Sequence, residues 1–242
     1  MKQILLITDG CSNVGLSPVL AAAHAQAEGI TVNVVGVTDP GEDGFFGQEE
    51  IAEIAKAGGG LSRMAHTRQL SQTVQMLTRQ TVVGTIQQAV NRELRHVLGA
   101  GSIEELPPEK RGEVVRVMDD LGENAALRVA LLIDASASMK PRMAAVEEAI
   151  RDLMLSLQAR AGRSELAVFH FPASQTSEEC ALDIGWTTDL GTAGTIFRRL
   201  PMRGTTPTGP AIMRVVDFFL QGDYGRRTTR TEMEGIGCDD VV

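Results

Sequence analysis

Three short segments of the chain carry acids and hydroxyls at spacings that could bring them together. DASASMK places Asp134, Ser136 and Ser138 at alternate positions directly after an apolar run. In GTTPTGPAI, Thr206 comes shortly before a helical pattern, and in ITDG, Asp9 follows the opening apolar run. Because side chains alternate along an extended chain, oxygens leaving one strand tip can point into a single small space. The simpler alternative is that these residues only cap the helices that follow them.

Strand and helix patterns alternate on either side of these segments. The apolar runs of 4–7 and 127–133 predict buried strands of the kind found in a parallel sheet that is covered on both faces. Residues 17–66 add a helix, a β-branched strand, a short helix and a weaker edge strand. Residues 165–187 add two strands close enough to be antiparallel, and further helices are expected around 141–162, 191–200 and 210–220. The chain is therefore predicted to form an α/β fold with a doubly wound, mostly parallel sheet.

The middle of the chain predicts two helices without an intervening strand. Their apolar stripes comprise Val83, Ile86, Val90, Leu94 and Val97 in the first helix, and Val114, Val117, Met118 and Leu121 in the second. A tight break between them predicts an antiparallel hairpin, which could be a connector or an interaction arm. We expect one domain built from 1–78 and 127–220, a helical hairpin connector at 79–126, and a flexible tail at 221–242.

Composition limits the classes of function. The 242 residues are 43% hydrophobic, as in a soluble globular protein, and the net charge of −8 argues against general binding to nucleic acid or to an anionic membrane. Apolar runs are too short to span a bilayer, and Asp9 interrupts the opening run too early for a signal peptide. The odd, scattered cysteines (Cys11, Cys180, Cys238) fit a cytoplasmic protein. The four histidines share no metal-ligand spacing, so a zinc site is not expected.

Taken together, the acids and hydroxyls resemble a known constellation. They are similar to the metal-ion-dependent adhesion site (MIDAS) of the von Willebrand factor A (vWA) domain. That family has D-x-S-x-S after its first strand, a threonine in a G-x-T-x-T-G-like loop, and an aspartate in an I-T-D-G loop after its fourth strand. The matching residues here are Asp134, Ser136, Ser138, Thr206 and Asp9. The whole sequence also resembles vWA-type proteins of spore-forming bacilli, from which no function follows.

The order of the motifs departs from that family. Residues 1–77 resemble the second half of a vWA domain, and 127–220 resemble the first half. The resemblance thus implies a circularly permuted, Rossmann-like vWA domain with an inserted helical hairpin, a rearrangement that nearby termini make feasible. The family's first and fourth strands are neighbours at the switch point of the sheet. We therefore expect the strands ending at Asp9 and Asp134 to be adjacent and parallel, within a monomer or across a swapped dimer.

The resemblance implies a protein-binding function. A hard cation, Mg²⁺ or Mn²⁺, would be held directly by hydroxyls, with the two aspartates acting largely through water. Such a metal keeps enough positive charge to accept an Asp or Glu carboxylate from a partner protein. Lys140, Arg142 and Arg203 flank the metal loops and could form a rim that steers such a partner.

Two other functions remain open from the sequence. A metal-bound water could hydrolyse a phosphoester, but no motif supplies a general base, and Cys11 is an unassisted candidate nucleophile. We therefore expect no enzymatic activity. The chain could also be a metal-independent scaffold that binds its partners through the helical hairpin.

Overall fold

The computed structural model describes residues 1–10, 12, 14–39, 47–98, 103–173, 179–189 and 204–234. Its strands are β1 (Lys2–Thr8), β2 (Thr31–Thr38), β3 (Gly59–His66), β4 (Leu127–Asp134), β5 (Ser164–Phe171) and β6 (Ala181–Thr187). Its α-helices are α1 (Pro18–Ala27), α2 (Gln48–Ala57), α3 (Leu70–Leu98), α4 (Pro108–Asn124), α5 (Met143–Gln158) and α6 (Thr208–Glu234). The helix predicted at 191–200 lies outside the described residues.

The strands form one mostly parallel sheet in the order β3-β2-β1-β4-β5-β6. The first five of these strands pair in parallel, and β6 is antiparallel to β5 at the edge. In the β1–β4 pair, Ile7 lies opposite Ile133. The predicted α/β class, the adjacency of the strands ending at Asp9 and Asp134, and the antiparallel pair are all confirmed.

Helices cover both faces of this sheet. Leu5 and Ile7 point into a core shared with α3 and α5, whereas Ile4 and Leu6 point into a core shared with α1, α2 and α6. All four side chains are fully buried, which explains why the run is continuously apolar rather than alternating. None of the helices in the described ranges combines the length and the apolarity that a bilayer-spanning segment needs.

The structure corrects the predicted apolar stripes. Val82 and Ile86 of α3 are buried against the sheet, but Val83 is 49% exposed, because the helix is turned so that the preceding residue faces the core. Val117 and Leu121 of α4 are also exposed, because α4 packs along α3 and contributes only Met118 to the edge of the core.

Two predicted boundaries also differ from the structure. Helix α3 runs without a break through residue 78, so the expected start of the connector falls inside a helix that packs on the sheet. Helix α6 continues to Glu234, well beyond the expected end at Leu220. The helix therefore extends into a segment whose sequence has no apolar periodicity.

Gly209 permits a close approach that brings the start of α6 against the loop before α1. A Cβ at this position would lie 1.9 Å from the backbone oxygen of Leu16. We expect Gly209→Ala to destabilise the fold by about 2 kcal/mol, because backbone on both sides must move. Gly84→Ala is the control, since a Cβ there meets nothing within 4 Å and an alanine favours the helix interior by up to about 1 kcal/mol. Urea denaturation of both variants tests this, and equal stabilities would contradict it.

Candidate functional site

Two of the predicted site residues meet where β1 and β4 end side by side. Asp134 is the last residue of β4, and Asp9 directly follows β1. The hydroxyl of Thr8 donates to Asp134 Oδ2 at 2.6 Å, which joins the two strand ends. Parallel strands end at the same edge of a sheet, so residues that are distant in the sequence form one site.

A continuous set of hydrogen bonds links the two serines to Asp9. The hydroxyls of Ser136 and Ser138 are 3.0 Å apart, and the Ser138 hydroxyl donates to Asp9 Oδ1 at 3.0 Å. Ser136 is the residue before the 3₁₀ helix Ala137–Arg142, but its side chain makes no capping hydrogen bond there. The capping alternative therefore does not account for the Ser136 hydroxyl, which faces Ser138 and the end of β1.

Asp134 is an inaccessible carboxylate at the base of this site. It is 0% exposed, and its Oδ1 accepts a 2.8 Å hydrogen bond from the backbone N–H of Ser136. Burial raises the pKa of Asp134, and the charge of Asp9 raises it further, whereas hydrogen bonds from Thr8 and Ser136 lower it. Burial is the largest of these effects, so a nearby cation would relieve an electrostatic cost.

Thr206 belongs to a buried loop that is tied to the same edge. Its carbonyl oxygen accepts a 3.2 Å hydrogen bond from the Ser12 hydroxyl, and the Ser12 N–H donates to Glu50 Oε2 at 2.9 Å. Ser12 therefore connects the loop after β1 both to the Thr206 loop and to the first turn of α2. Neither Ser12 nor Glu50 was predicted, because no motif marks them and their roles depend on long-range packing.

The three predicted rim residues have different positions. Lys140 is exposed two residues after Ser138 in the sequence, and Arg203 lies outside the described residues. Arg142 is only 6% exposed, and its guanidinium binds Asp9 and Asp39. Arg142 was expected at the rim of the metal loops and is instead buried, because it pairs with two carboxylates at neighbouring strand ends.

The residues at this edge fit a hard divalent cation. Their side chains offer hydroxyl and carboxylate oxygens, the donor atoms that Mg²⁺ and Mn²⁺ prefer. The Ser138 hydroxyl donates a hydrogen bond to Asp9 and accepts one from the Ser136 hydroxyl, so one lone pair of the Ser138 oxygen is left to face a metal. In the part of the chain that the structure describes, no group of three or more His, Cys, Asp or Glu side chains could hold a metal. A metal here would therefore depend on the serine and threonine oxygens.

Two bacterial proteins are similar to the chain along nearly its whole length. "Uncharacterized protein YabS" of Bacillus subtilis (strain 168) is 47% identical over 213 residues, which are 88% of this chain and 86% of YabS. A protein of Alicyclobacillus acidocaldarius, solved by crystallography, is 41% identical with a TM-score of 0.86. That match covers 93% of this chain and 96% of the other chain.

A third match is much weaker. Proximal thread matrix protein 1 from the mussel byssus, solved with a zinc-occupied MIDAS motif, is 15% identical with a TM-score of 0.28. It covers 85% of this chain and 43% of the mussel protein, and so low a score supports no inference here. No family model matches the sequence. With 47% identity along most of both chains, the protein belongs to the same family as YabS of Bacillus subtilis.

Proposed function

We propose that the chain is a metal-ion-dependent protein-binding module, in which a divalent cation captures an acidic side chain of a partner protein. The observation that carries the proposal is the hydrogen-bonded set Ser136–Ser138–Asp9, which lies beside the buried carboxylate of Asp134. Hydroxyl ligands are neutral and the two carboxylates would act through bound water, so little negative charge would be donated directly to a bound metal. The metal then remains a strong acceptor for one external carboxylate.

The sheet order supports a circularly permuted vWA domain as the framework of this module. In the resembled family, the D-x-S-x-S strand comes first and the T-D-G strand fourth, and the two are neighbours. Here β4 ends at the Asp of DASAS, β1 ends at the Thr of TDG, and the two strands pair in parallel at the centre of the sheet. The motifs occur in the family's order when the strands are read from β4 through β6 and then from β1 to β3.

The proposed metal is Mg²⁺ or Mn²⁺. Ser136, Ser138 and Thr206 would hold it directly, and Asp9 and Asp134 would act through bound water. When bound, the cation supplies a coordination position for a carboxylate from outside. The oxygens of Asp134 already accept hydrogen bonds from Thr8 and from the Ser136 N–H, which fixes the orientation of this carboxylate before any metal arrives.

Ser138→Ala tests the metal site most directly. We expect it to weaken Mn²⁺ or Mg²⁺ binding by about tenfold or more, because even residues that only orient ligands are worth that much in metal sites. Isothermal titration calorimetry with the metal salts measures the dissociation constants. Ser156→Ala is the matched control, since this serine is exposed on α5 and should leave metal affinity unchanged. Wild-type protein that binds neither metal would contradict the proposal.

Acidic-ligand binding is tested with a short glutamate-containing peptide and its glutamine counterpart. The glutamate peptide should bind only in the presence of metal, and EDTA should release it. Binding that ignores EDTA, or that does not distinguish the two peptides, would contradict the proposed recognition. Turnover of a generic phosphoester by the metal-loaded protein would instead favour a hydrolase.

A specific feature favours one second candidate, a metal-independent scaffold that binds an apolar helix of a partner. Helices α3, α4 and α5 border a groove of about 510 Å³ whose apolar lining includes Val82, Ile86 and Leu157. Val83 of α3 also lines this groove and is 49% exposed. A partner that stays bound in EDTA and is lost on Val83→Asp would identify this surface as the functional one.

A further inference from the structure

Arg142 has an unusual position for a cationic residue at a proposed cation site. It ends the 3₁₀ helix that carries Ser138, and it is 6% exposed. Its Nη1 donates to Asp9 Oδ2 and, at 3.4 Å, to the backbone oxygen of Ser138. Its Nε donates to Asp39 Oδ2 at 3.1 Å. The guanidinium thus joins the ends of β1 and β2 to the loop after β4.

The two oxygens of Asp9 are divided between the serine site and this arginine. Oδ1 accepts from the Ser138 hydroxyl, and Oδ2 accepts from Arg142. A permanent positive charge therefore lies in contact with one of the two carboxylates that would attract a metal. Both ion-paired side chains are nearly inaccessible, at 7% exposed for Arg142 and 5% for Asp9, so solvent screens this charge less than it would at the surface.

The fixed positive charge of Arg142 has opposite effects on the binding of a metal cation and on the binding of a partner carboxylate. It cancels part of the carboxylate charge and so weakens the binding of a second cation. It also keeps the metal-loaded site more positive, which strengthens the binding of an anionic side chain. Asp39 opposes both effects, but its side chain is 34% exposed and therefore more strongly screened than Arg142.

We propose that Arg142 is a built-in counter-cation that lowers metal affinity and raises the affinity of the metal-loaded site for a partner carboxylate. The inference rests on the proposed metal-dependent function and assigns a residue that determines its selectivity. Metal occupancy would then depend on the partner, because the metal ion and the partner carboxylate each bind weakly alone and bind more tightly together. A residue that merely holds the loops in place would not produce opposite effects on the two ligands.

The test compares Arg142→Met, Arg142→Lys and Asp39→Asn with the wild-type protein. Mn²⁺ affinity is measured by calorimetry, and affinity for the glutamate peptide is measured at saturating Mn²⁺. We expect Arg142→Met to bind Mn²⁺ about tenfold more tightly and the peptide about tenfold more weakly, from Coulomb interactions in a partly screened site. Arg142→Lys keeps the charge but not the guanidinium geometry, so both affinities should change less than they do in Arg142→Met. Asp39→Asn should weaken Mn²⁺ binding and strengthen peptide binding.

Three outcomes separate this inference from its alternatives. Weaker Mn²⁺ binding by a folded Arg142→Met protein, with an unchanged circular dichroism spectrum, would show that Arg142 only positions Asp9 and would overturn the inference. If Arg142→Met does not fold, a larger loss of Mn²⁺ affinity in Arg142→Lys than in Asp39→Asn would overturn it as well. Wild-type protein that binds no metal would overturn the proposed function itself, and the inference with it.

Discussion

Asp134→Asn is expected to abolish divalent-cation binding and yet leave the metal-free fold intact. The substitution removes one of two carboxylates at the site, so we expect metal affinity to fall by about a hundredfold or more. The asparagine can keep the local hydrogen bonds, because its oxygen accepts from the Ser136 N–H and its amide can donate to the Thr8 hydroxyl. Calorimetry with Mn²⁺ measures the loss, and wild-type affinity in this variant would contradict the proposed site.

The same substitution should not destabilise the protein in EDTA. Burial raises the pKa of Asp134 above its ordinary value, so the folded state favours the protonated acid more than the unfolded state does. This contribution to stability is fully present below about pH 4 and is lost as the pH rises through the folded-state pKa. As the pH rises through that pKa, the metal-free wild type acquires a buried negative charge that the variant lacks.

Urea denaturation in EDTA measures this difference. We expect the free energy of unfolding of Asp134→Asn at pH 7 to equal that of the wild type or to exceed it by about 1 kcal/mol. This difference should shrink towards pH 4. Asp119→Asn is the control, since Asp119 is an exposed residue of α4 and its replacement should have little effect. A marked loss of stability in Asp134→Asn would contradict this prediction and would indicate that the carboxylate stabilises the metal-free fold.

The centre of the sheet could be predicted from the sequence, and so could the proximity of Asp9, Asp134, Ser136 and Ser138 at one edge. Fully buried strands such as β1 and β4 have continuous apolar runs, and each run ends at an acid. The order of the central strands followed from motifs rather than from periodicity, because periodicity does not tell which strands pair. Asp9 and Asp134 were therefore placed together only by combining local patterns with a resemblance to a family.

Features that depend on tertiary partners could not be predicted. Arg142 follows the serines on a loop, where a charged side chain is normally solvated, and its burial depends on Asp9 and Asp39, which precede it by more than a hundred residues. Val82 and Val83 are equally apolar, so the face that α3 turns to the sheet could not be identified from residue type. Close approaches such as the one at Gly209 likewise depend on another backbone segment.

Glu165→Gln is expected to cause a large loss of stability without affecting the metal site. Glu165 and Arg128 form a buried ion pair at 2.9 Å between β5 and β4, and the Arg128 guanidinium also lies 5.2 Å from the centre of the Trp186 ring. The glutamine keeps the size of the side chain but leaves the buried arginine without the charge it faces. Breaking a buried pair from one side costs about 3 kcal/mol, because the remaining charge stays desolvated.

Arg163→Gln provides a matched control for this prediction. Arg163 binds the other oxygen of Glu165 at 2.9 Å, but its side chain is 65% exposed, so its loss should cost less than about 1 kcal/mol. Arg128 and Glu165 lie at the amino-terminal ends of their strands, whereas Asp134 ends β4 at the opposite edge. Both variants should therefore bind Mn²⁺ with wild-type affinity wherever they remain folded. Equal losses of stability in the two variants would contradict the predicted cost of breaking the buried pair. A fall in metal affinity for folded Glu165→Gln would mean that this pair is coupled to the site through the length of the sheet.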